Sequence, residues 1–175
     1  MRRALVIGIL LVIGGPSAAH AGDGENALSA GVGYGTFWTD VEGEDETASP
    51  TAGGIVTATF ERGFTDYASW RVRAVGGLYA GGGTSMTGLA TAGLSYRFDV
   101  LKYVPYVAVG VGALVRGGGP FDGTDVEPAL EIGGGVDWLR SRSRSVGLDV
   151  AVTGFAFDTT TLIVTLRTTW RWGYF

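Results

Sequence analysis

The chain has 175 residues, of which 31 are glycine; it contains no cysteine and a single histidine. Its formal net charge is −4, and an acidic balance of this kind argues against nucleic-acid binding. The lack of cysteine excludes disulfides, anchoring as a lipoprotein and thiolate metal sites.

Residues 1–21 have the features of a secretory signal peptide. The pair Arg2-Arg3 precedes an apolar segment of eleven residues, Ala4 to Gly14, and Ala19-His20-Ala21 fits the cleavage rule. A membrane-spanning helix needs about 20 apolar residues, so a membrane anchor is the weaker alternative. We therefore expect one mature domain, residues 22–175, with a formal charge of −6.

Eight segments of the mature domain alternate between apolar and polar residues, with the period of two that a β-strand requires. No helical pattern with a period of 3.6 residues appears. The predicted strands run over Asn26–Trp38, Gly54–Arg62, Ser69–Tyr79, Gly88–Phe98, Val104–Arg116, Pro128–Leu139, Ser145–Phe155 and Thr161–Phe175. An even number of strands places both termini at one end of the fold, which is the periplasmic end of an outer-membrane barrel.

Charged residues in the middle of these strands share one face with glycine, threonine and serine, while valine, leucine and aromatic residues occupy the other face; Arg62 breaks this parity at a strand end, where it can reach the interface. A lone arginine at mid-depth in lipid costs roughly 2–4 kcal/mol, so a lipid-facing surface should lack charge. This pattern predicts an all-β fold, an eight-stranded antiparallel up-and-down transmembrane β-barrel with charges inside. The charge network predicted for the lumen comprises Glu61, Arg71, Arg73, Arg97, Glu131, Asp137, Asp149, Arg167 and Arg171.

Aromatic residues collect near the strand ends on the side of the termini, which is typical of a membrane interface. The predicted aromatic girdle comprises Trp70, Phe98, Trp138, Trp170, Trp172 and Tyr174. Tyr34 and Trp38 are candidates for the opposite rim. The alternative is a soluble β-sandwich or lipocalin-like barrel with its apolar face inward. The glycines on the polar face disfavour it, because a solvated face has no need of small residues.

The connections between strands follow from these boundaries. The predicted periplasmic turns are Gly63–Ala68, Asp99–Tyr103 and Arg140–Arg144, and the predicted outer loops are Thr39–Gly53, Ala80–Thr87, Gly117–Glu127 and Ala156–Thr160. The first outer loop is acidic and either binds divalent cations that bridge to lipopolysaccharide or is simply solvated. Its spacing fits no recognised calcium loop, which favours solvation.

The segment Tyr103–Gly112, YVPYVAVGVG, resembles the fifth strand of the OmpA-like and opacity-protein-like porin domains. The resemblance implies an integral structural or surface protein of a Gram-negative outer membrane, in contact with lipid and lipopolysaccharide. It also implies that the barrel-assembly machinery reads the terminal Phe175. Family members usually carry aromatics two and four residues earlier, where this chain has Gly173 and Arg171. Either a β-bulge near Gly173 places Phe175 on the same face as the preceding aromatic residues, or Phe175 departs from the family pattern.

An enzymatic role is disfavoured by the side chains that remain after export. The only histidine, His20, lies in the segment that is removed, so the usual nucleophile–histidine pairs are excluded. A carboxylate pair of Glu131 and Asp137 would stay ionised among arginines, whereas a general acid must hold a proton. We therefore expect no catalytic site, no cofactor and no metal.

The expected function is a structural or surface role with a closed lumen that is filled by a packed polar core. A narrow ion or water path gated by salt bridges is one alternative. An OmpW-like passive transporter of small apolar compounds is another, with which Pro105 and Pro128 at strand ends are compatible. A third alternative is an adhesin or ligand-binding barrel that acts through its outer loops. The oligomeric state does not follow from the sequence.

Overall fold

The computed structural model describes residues 24–39, 51–80, 84–98, 102–118, 121–154 and 159–173. Each strand pairs antiparallel with the next, and the last pairs with the first, which closes the sheet into a barrel. The strands are β1 (Asn26–Thr39), β2 (Thr51–Gly63), β3 (Ala68–Ala80), β4 (Thr84–Arg97), β5 (Tyr103–Gly118), β6 (Phe121–Ser141), β7 (Arg144–Gly154) and β8 (Thr159–Trp172). Within the described ranges, no helix is long and apolar enough to cross a membrane.

All eight predicted strands are present, but the prediction of an outer loop over Gly117–Glu127 is wrong. There β5 continues to Gly118 and β6 begins at Phe121, and these two residues pair across a tight connection. The alternation of outward and inward side chains continues through this region. Val126 is 67% exposed on the outer face, and on the inner side a guanidinium nitrogen of Arg116 lies 2.6 Å from a carboxylate oxygen of Glu127. Strand pairing satisfies backbone groups that a loop would leave to water.

Other boundaries also shift. Only residues 81–83 separate β3 from β4, so most of the predicted loop Ala80–Thr87 is strand. The last strand ends at Trp172 rather than Phe175, because Gly173 has a φ of 93°, which breaks the extended backbone. Tyr174 and Phe175 lie outside the described residues, as does the acidic loop between β1 and β2.

The apolar face of the sheet looks outward. Val109, Leu148 and Leu166 have exposed fractions of 52%, 52% and 59%, whereas arginines and carboxylates of the intervening positions are buried inside. Successive side chains of a strand point to opposite faces, so this assignment holds along each strand. The soluble alternative, with apolar residues at the centre and solvated charges around them, is therefore wrong.

The charge network occupies the half of the interior nearer the termini, so the prediction of a packed polar core describes that half and only part of the other. In the loop half, buried apolar side chains lie beside the buried polar residues Ser85, Thr153 and Thr161, and the rings of Phe37 and Tyr79 meet edge to face at 5.0 Å. We call this group the apolar layer, which comprises Phe37, Ile55, Val75, Tyr79, Leu89, Leu114, Ala129, Ala151 and Ile163. These residues point inward, as the charged residues do. The alternation of side chains determines which face a residue occupies, but it does not determine the position of the residue along the barrel axis.

Candidate functional site

Four charged side chains meet at the middle of the barrel, and we call them the central quartet: Arg71, Arg73, Glu131 and Asp149. The two arginines extend from β3, and the carboxylates reach them across the lumen from β6 and β7. Arg73 lies 2.7 Å from Asp149 and 3.3 Å from Glu131. Arg71 lies 3.5 Å and 3.9 Å from the same two carboxylates. Each arginine thus contacts both acids, and all four side chains are buried.

Six further charges form a closed ring near the terminus end, in which positive and negative groups alternate. We call it the mouth ring; in order around the ring its members are Asp137, Arg167, Glu61, Arg97, Glu25 and Arg171. The successive N–O distances are 2.9, 4.0, 2.9, 3.2, 3.2 and 2.7 Å, the last closing the ring at Asp137. Every member therefore has an oppositely charged group on each side.

Asp137 is the most heavily bonded member of the mouth ring. Arg167 donates from Nε to Oδ1 at 3.1 Å and from Nη2 to Oδ2 at 2.9 Å, which is the two-pronged geometry that suits a guanidinium and a carboxylate. Arg171 adds a third hydrogen bond at 2.7 Å to Oδ2. Two buried arginines thus depend on this one carboxylate.

Tyr106 of β5 joins the two charged groups. Its hydroxyl donates to Asp149 of the central quartet, and its ring lies 4.3 Å from the guanidinium of Arg167 in the mouth ring. The resulting network holds five arginines and five carboxylates and has no net charge. A buried charge is tolerated when it is paired, so this balance is what allows ten ionised groups inside the barrel.

The structure places all nine charges of the sequence-based network in this one assembly and adds Glu25, which sequence reasoning missed. Glu25 precedes the first predicted strand, but it shares the parity of the inward residue Ala27. Its absence from the prediction left five arginines facing four carboxylates. Tyr106 received no role in the sequence-based network, because parity does not show that it lies between Asp149 and Arg167.

A cavity of about 210 Å³ lies at the terminus end, and its lining includes Glu25, Arg97 and Arg171. Glu131 and Asp137 belong to different groups, each with its own arginines. Across the described ranges, no three histidine, cysteine or acidic side chains are placed to hold a metal ion.

The predicted aromatic girdle lies on the outer face at the terminus end. Trp70 is 61% exposed, and Phe98, Trp138, Trp170 and Trp172 are also exposed, while Tyr174 lies outside the described residues. The band has further exposed members, which are Phe60, Phe64, Tyr67, Tyr96 and Tyr103. At the opposite rim, Tyr34 is exposed and Trp38 is partly exposed.

A closed eight-stranded barrel with an apolar exterior and an ion-paired interior is the fold of the small outer-membrane β-barrels, which confirms the fold that Tyr103–Gly112 predicted. The sequence matches no family model, and it matches none of the curated proteins with which it was compared.

Solved structures of this class superpose on most of the chain. Neisserial surface protein A has a TM-score of 0.72 and 10% identity, over 85% of this chain and 99% of that protein. The attachment invasion locus protein of Yersinia pestis has a TM-score of 0.58 and 14% identity, over 86% and 99%. The outer membrane protein OprG from Pseudomonas aeruginosa has a TM-score of 0.57 and 12% identity, over 87% and 98%. Identities this low establish a shared fold and leave the function open.

Proposed function

We propose that this chain is a non-enzymatic integral β-barrel of a Gram-negative outer membrane, with a closed lumen and a structural or surface role. The observation that carries the proposal is the apolar outer wall around a charged interior: apolar side chains cover the outside of the barrel, and paired charges fill half of the interior. The signal peptide at residues 1–21 provides export to the periplasm.

Membrane insertion is supported by the length and closure of the wall. The strands contain 11 to 21 residues, and a tilted strand needs about 9–11 to cross the hydrocarbon. Closure pairs the backbone N–H and C=O groups that an open edge would expose to lipid. The aromatic girdle marks the membrane interface at the terminus end. The terminal Phe175 is the residue that we expect the barrel-assembly machinery to read.

A closed lumen is supported by what fills it. An eight-stranded barrel is about wide enough for side chains alone, and here the mouth ring, the central quartet and the apolar layer follow one another along its axis. An ion would have to break charge pairs and then cross apolar side chains.

The wall itself gives no support to a lateral gate for apolar compounds. Pro105 pairs with Val136 and Pro128 pairs with Ala113, so the β5–β6 ladder continues past both prolines. The OmpW-like alternative needs an interruption at this seam.

A surface-binding role is the second candidate, because the β5–β6 hairpin rises beyond its neighbour. Among the described residues, β7 pairs with β6 only from Leu130 onward, so Phe121–Ala129 of β6 is paired on one side. A free strand edge is a common peptide-binding surface. Shortening the hairpin should abolish binding to host cells or matrix proteins if this role applies, while heat-resistant folding persists.

Two measurements test the main proposal. Unboiled protein in lipid vesicles should migrate differently from boiled protein on a gel, because a closed barrel stays folded in detergent until heated. In planar bilayers the purified barrel should give no steady conductance above background. Identical migration would refute the membrane barrel, and a steady conductance would refute the closed lumen alone.

A further inference from the structure

The basic residues that the internal network leaves over are gathered at one end of the barrel. After residue 21 they are Arg62, Lys102, Arg116, Arg140, Arg142 and Arg144. Five of them lie at the terminus end, and the sixth, Arg116, pairs with Glu127 toward the loop end. The segments at the loop end instead carry nine acidic residues: Asp40, Glu42, Glu44, Asp45, Glu46, Asp122, Asp125, Glu127 and Asp158. Three acidic residues, Asp23, Asp66 and Asp99, belong to segments at the terminus end, so the two ends differ in the sign of their remaining charge.

Four of these cations occupy neighbouring positions where β5, β6 and β7 meet, and we call them the basic arc: Lys102, Arg140, Arg142 and Arg144. All four are exposed. The backbone N–H of Leu139 donates to the carbonyl of Lys102 at 3.0 Å, and Ser141 pairs with Arg144, so the arc has a fixed frame. None of the four forms an ion pair with an acidic group of the described ranges.

Two cations of the basic arc lie against an aromatic residue of the girdle. The Lys102 ammonium lies 5.1 Å from the Trp138 ring and the Arg140 guanidinium lies 4.3 Å from it. Tyr103 stacks on the other side at 6.4 Å. Tryptophan marks the headgroup level of a membrane, so these cations lie at the depth of lipid phosphates.

We propose that the basic arc binds anionic phospholipid headgroups in the leaflet at the terminus end. This inference rests on the proposed membrane location of the barrel. Charge complementarity selects the occupant: each lysine or arginine near an anionic membrane surface contributes a measurable attraction, and the four cations of the arc outnumber Asp66, the exposed acid among the described residues at this end. The acidic loop end offers such headgroups no comparable surface.

The test compares two spin-labelled lipids around the mature barrel in phosphatidylcholine vesicles. Electron spin resonance reports how strongly labelled phosphatidylglycerol and labelled phosphatidylcholine each associate with the protein. We expect phosphatidylglycerol to be preferred about fivefold at low salt. The preference should largely vanish in 1 M salt, because the Debye length falls to about 3 Å.

Variants locate the effect. Replacing Lys102→Gln, Arg140→Gln, Arg142→Gln and Arg144→Gln together should bring the preference to about one. Changing the three arginines to lysine should keep it, since charge is retained. A control that removes four charges at the opposite end, Glu42→Gln, Glu44→Gln, Asp45→Asn and Glu46→Gln, should leave it unchanged. If the fourfold glutamine variant does not fold, the single turn variant Arg142→Gln should still reduce the preference.

The outcomes separate this inference from the membrane proposal. If protein from vesicles of any composition migrates identically on a gel with and without boiling, both the membrane barrel and lipid binding by the basic arc are refuted. A barrel that folds but shows equal association of the two lipids, or a preference that salt does not change, would overturn the basic arc alone. So would a preference that persists in the fourfold glutamine variant, or one that disappears in the loop control.

Discussion

The two halves of the lumen are filled by side chains that interact in different ways. Toward the termini, ten ionised groups and Tyr106 are held together by charge pairs and hydrogen bonds. Toward the loops, the apolar layer is held by packing, as in the core of a soluble protein. The wall is the same in both halves, with apolar residues facing outward.

This difference determines how each half should respond to substitution. A charge pair has a low tolerance for losing one partner, because the other charge is then buried alone. An apolar core depends on volume, so it accepts a change of shape that keeps the volume and loses stability when a cavity forms. Matched substitutions in the two halves can therefore test whether the division is real.

The largest effect is expected at Asp137. Asp137→Asn leaves Arg167 and Arg171 without their shared carboxylate, and removing one member of a buried ion pair costs about 3–5 kcal/mol. Urea unfolding in vesicles should show this loss in the free energy of unfolding. The control is Asp66→Asn, the same change at an exposed turn residue, which should cost less than about 0.5 kcal/mol. Equal losses for the two variants would mean that the mouth ring is not a unit.

In the apolar layer, truncation at Ile163 should come next. Ile163 is fully buried, and Ile163→Ala should cost about 2–5 kcal/mol through lost contacts and a residual cavity. Ile163→Leu, which keeps the volume, should cost less than about 1.5 kcal/mol. The same unfolding experiment measures both. A large loss from the leucine variant would contradict packing as the means of closure in this half.

A pair of tyrosines permits an identical change in both halves. Tyr106→Phe removes a hydrogen bond to a buried carboxylate, which is worth about 1.5–3 kcal/mol. Tyr79→Phe removes a hydroxyl whose neighbour, among the described residues, is the neutral Thr87, and should cost less than about 1.5 kcal/mol. The difference between the two losses in free energy of unfolding is the measurement, and a larger loss at Tyr79 would reverse the comparison.

Sequence alone located the strands and the faces but not the depth of each group. Alternation is enforced by a strong penalty, since an arginine such as Arg73 cannot face lipid, and the face of each strand residue therefore follows from parity. The same parity holds for Arg167 and Ile163, yet one belongs to the mouth ring and the other to the apolar layer. The position of a side chain along the barrel axis depends on the stagger between neighbouring strands. No pattern within a single strand indicates that stagger.

The local sequence pattern also could not predict which charged residues of the network pair with one another. Arg73 bonds Asp149, which lies across the lumen from β3, and Glu25 enters the mouth ring from ahead of β1. Such contacts depend on closure of the whole barrel. Charge balance offers the one usable signal, because five arginines inside a barrel require a fifth carboxylate.

The smallest effect in this series tests how closely the wall supports the mouth ring. A methyl group at Gly147 would lie 2.1 Å from Oδ1 of Asp137 and 2.7 Å from the carbonyl oxygen of Val136, so Gly147→Ala must displace a carboxylate that two arginines hold. Overpacking of this kind costs about 1–3 kcal/mol. Gly88→Ala is the matched control, because nothing lies within 4 Å of the added carbon, and it should be neutral or slightly stabilising. If neither alanine variant changes the free energy of unfolding in urea, the backbone of the wall adjusts to the added methyl group at little cost. The mouth ring is then held by its charge pairs rather than by the position of the backbone.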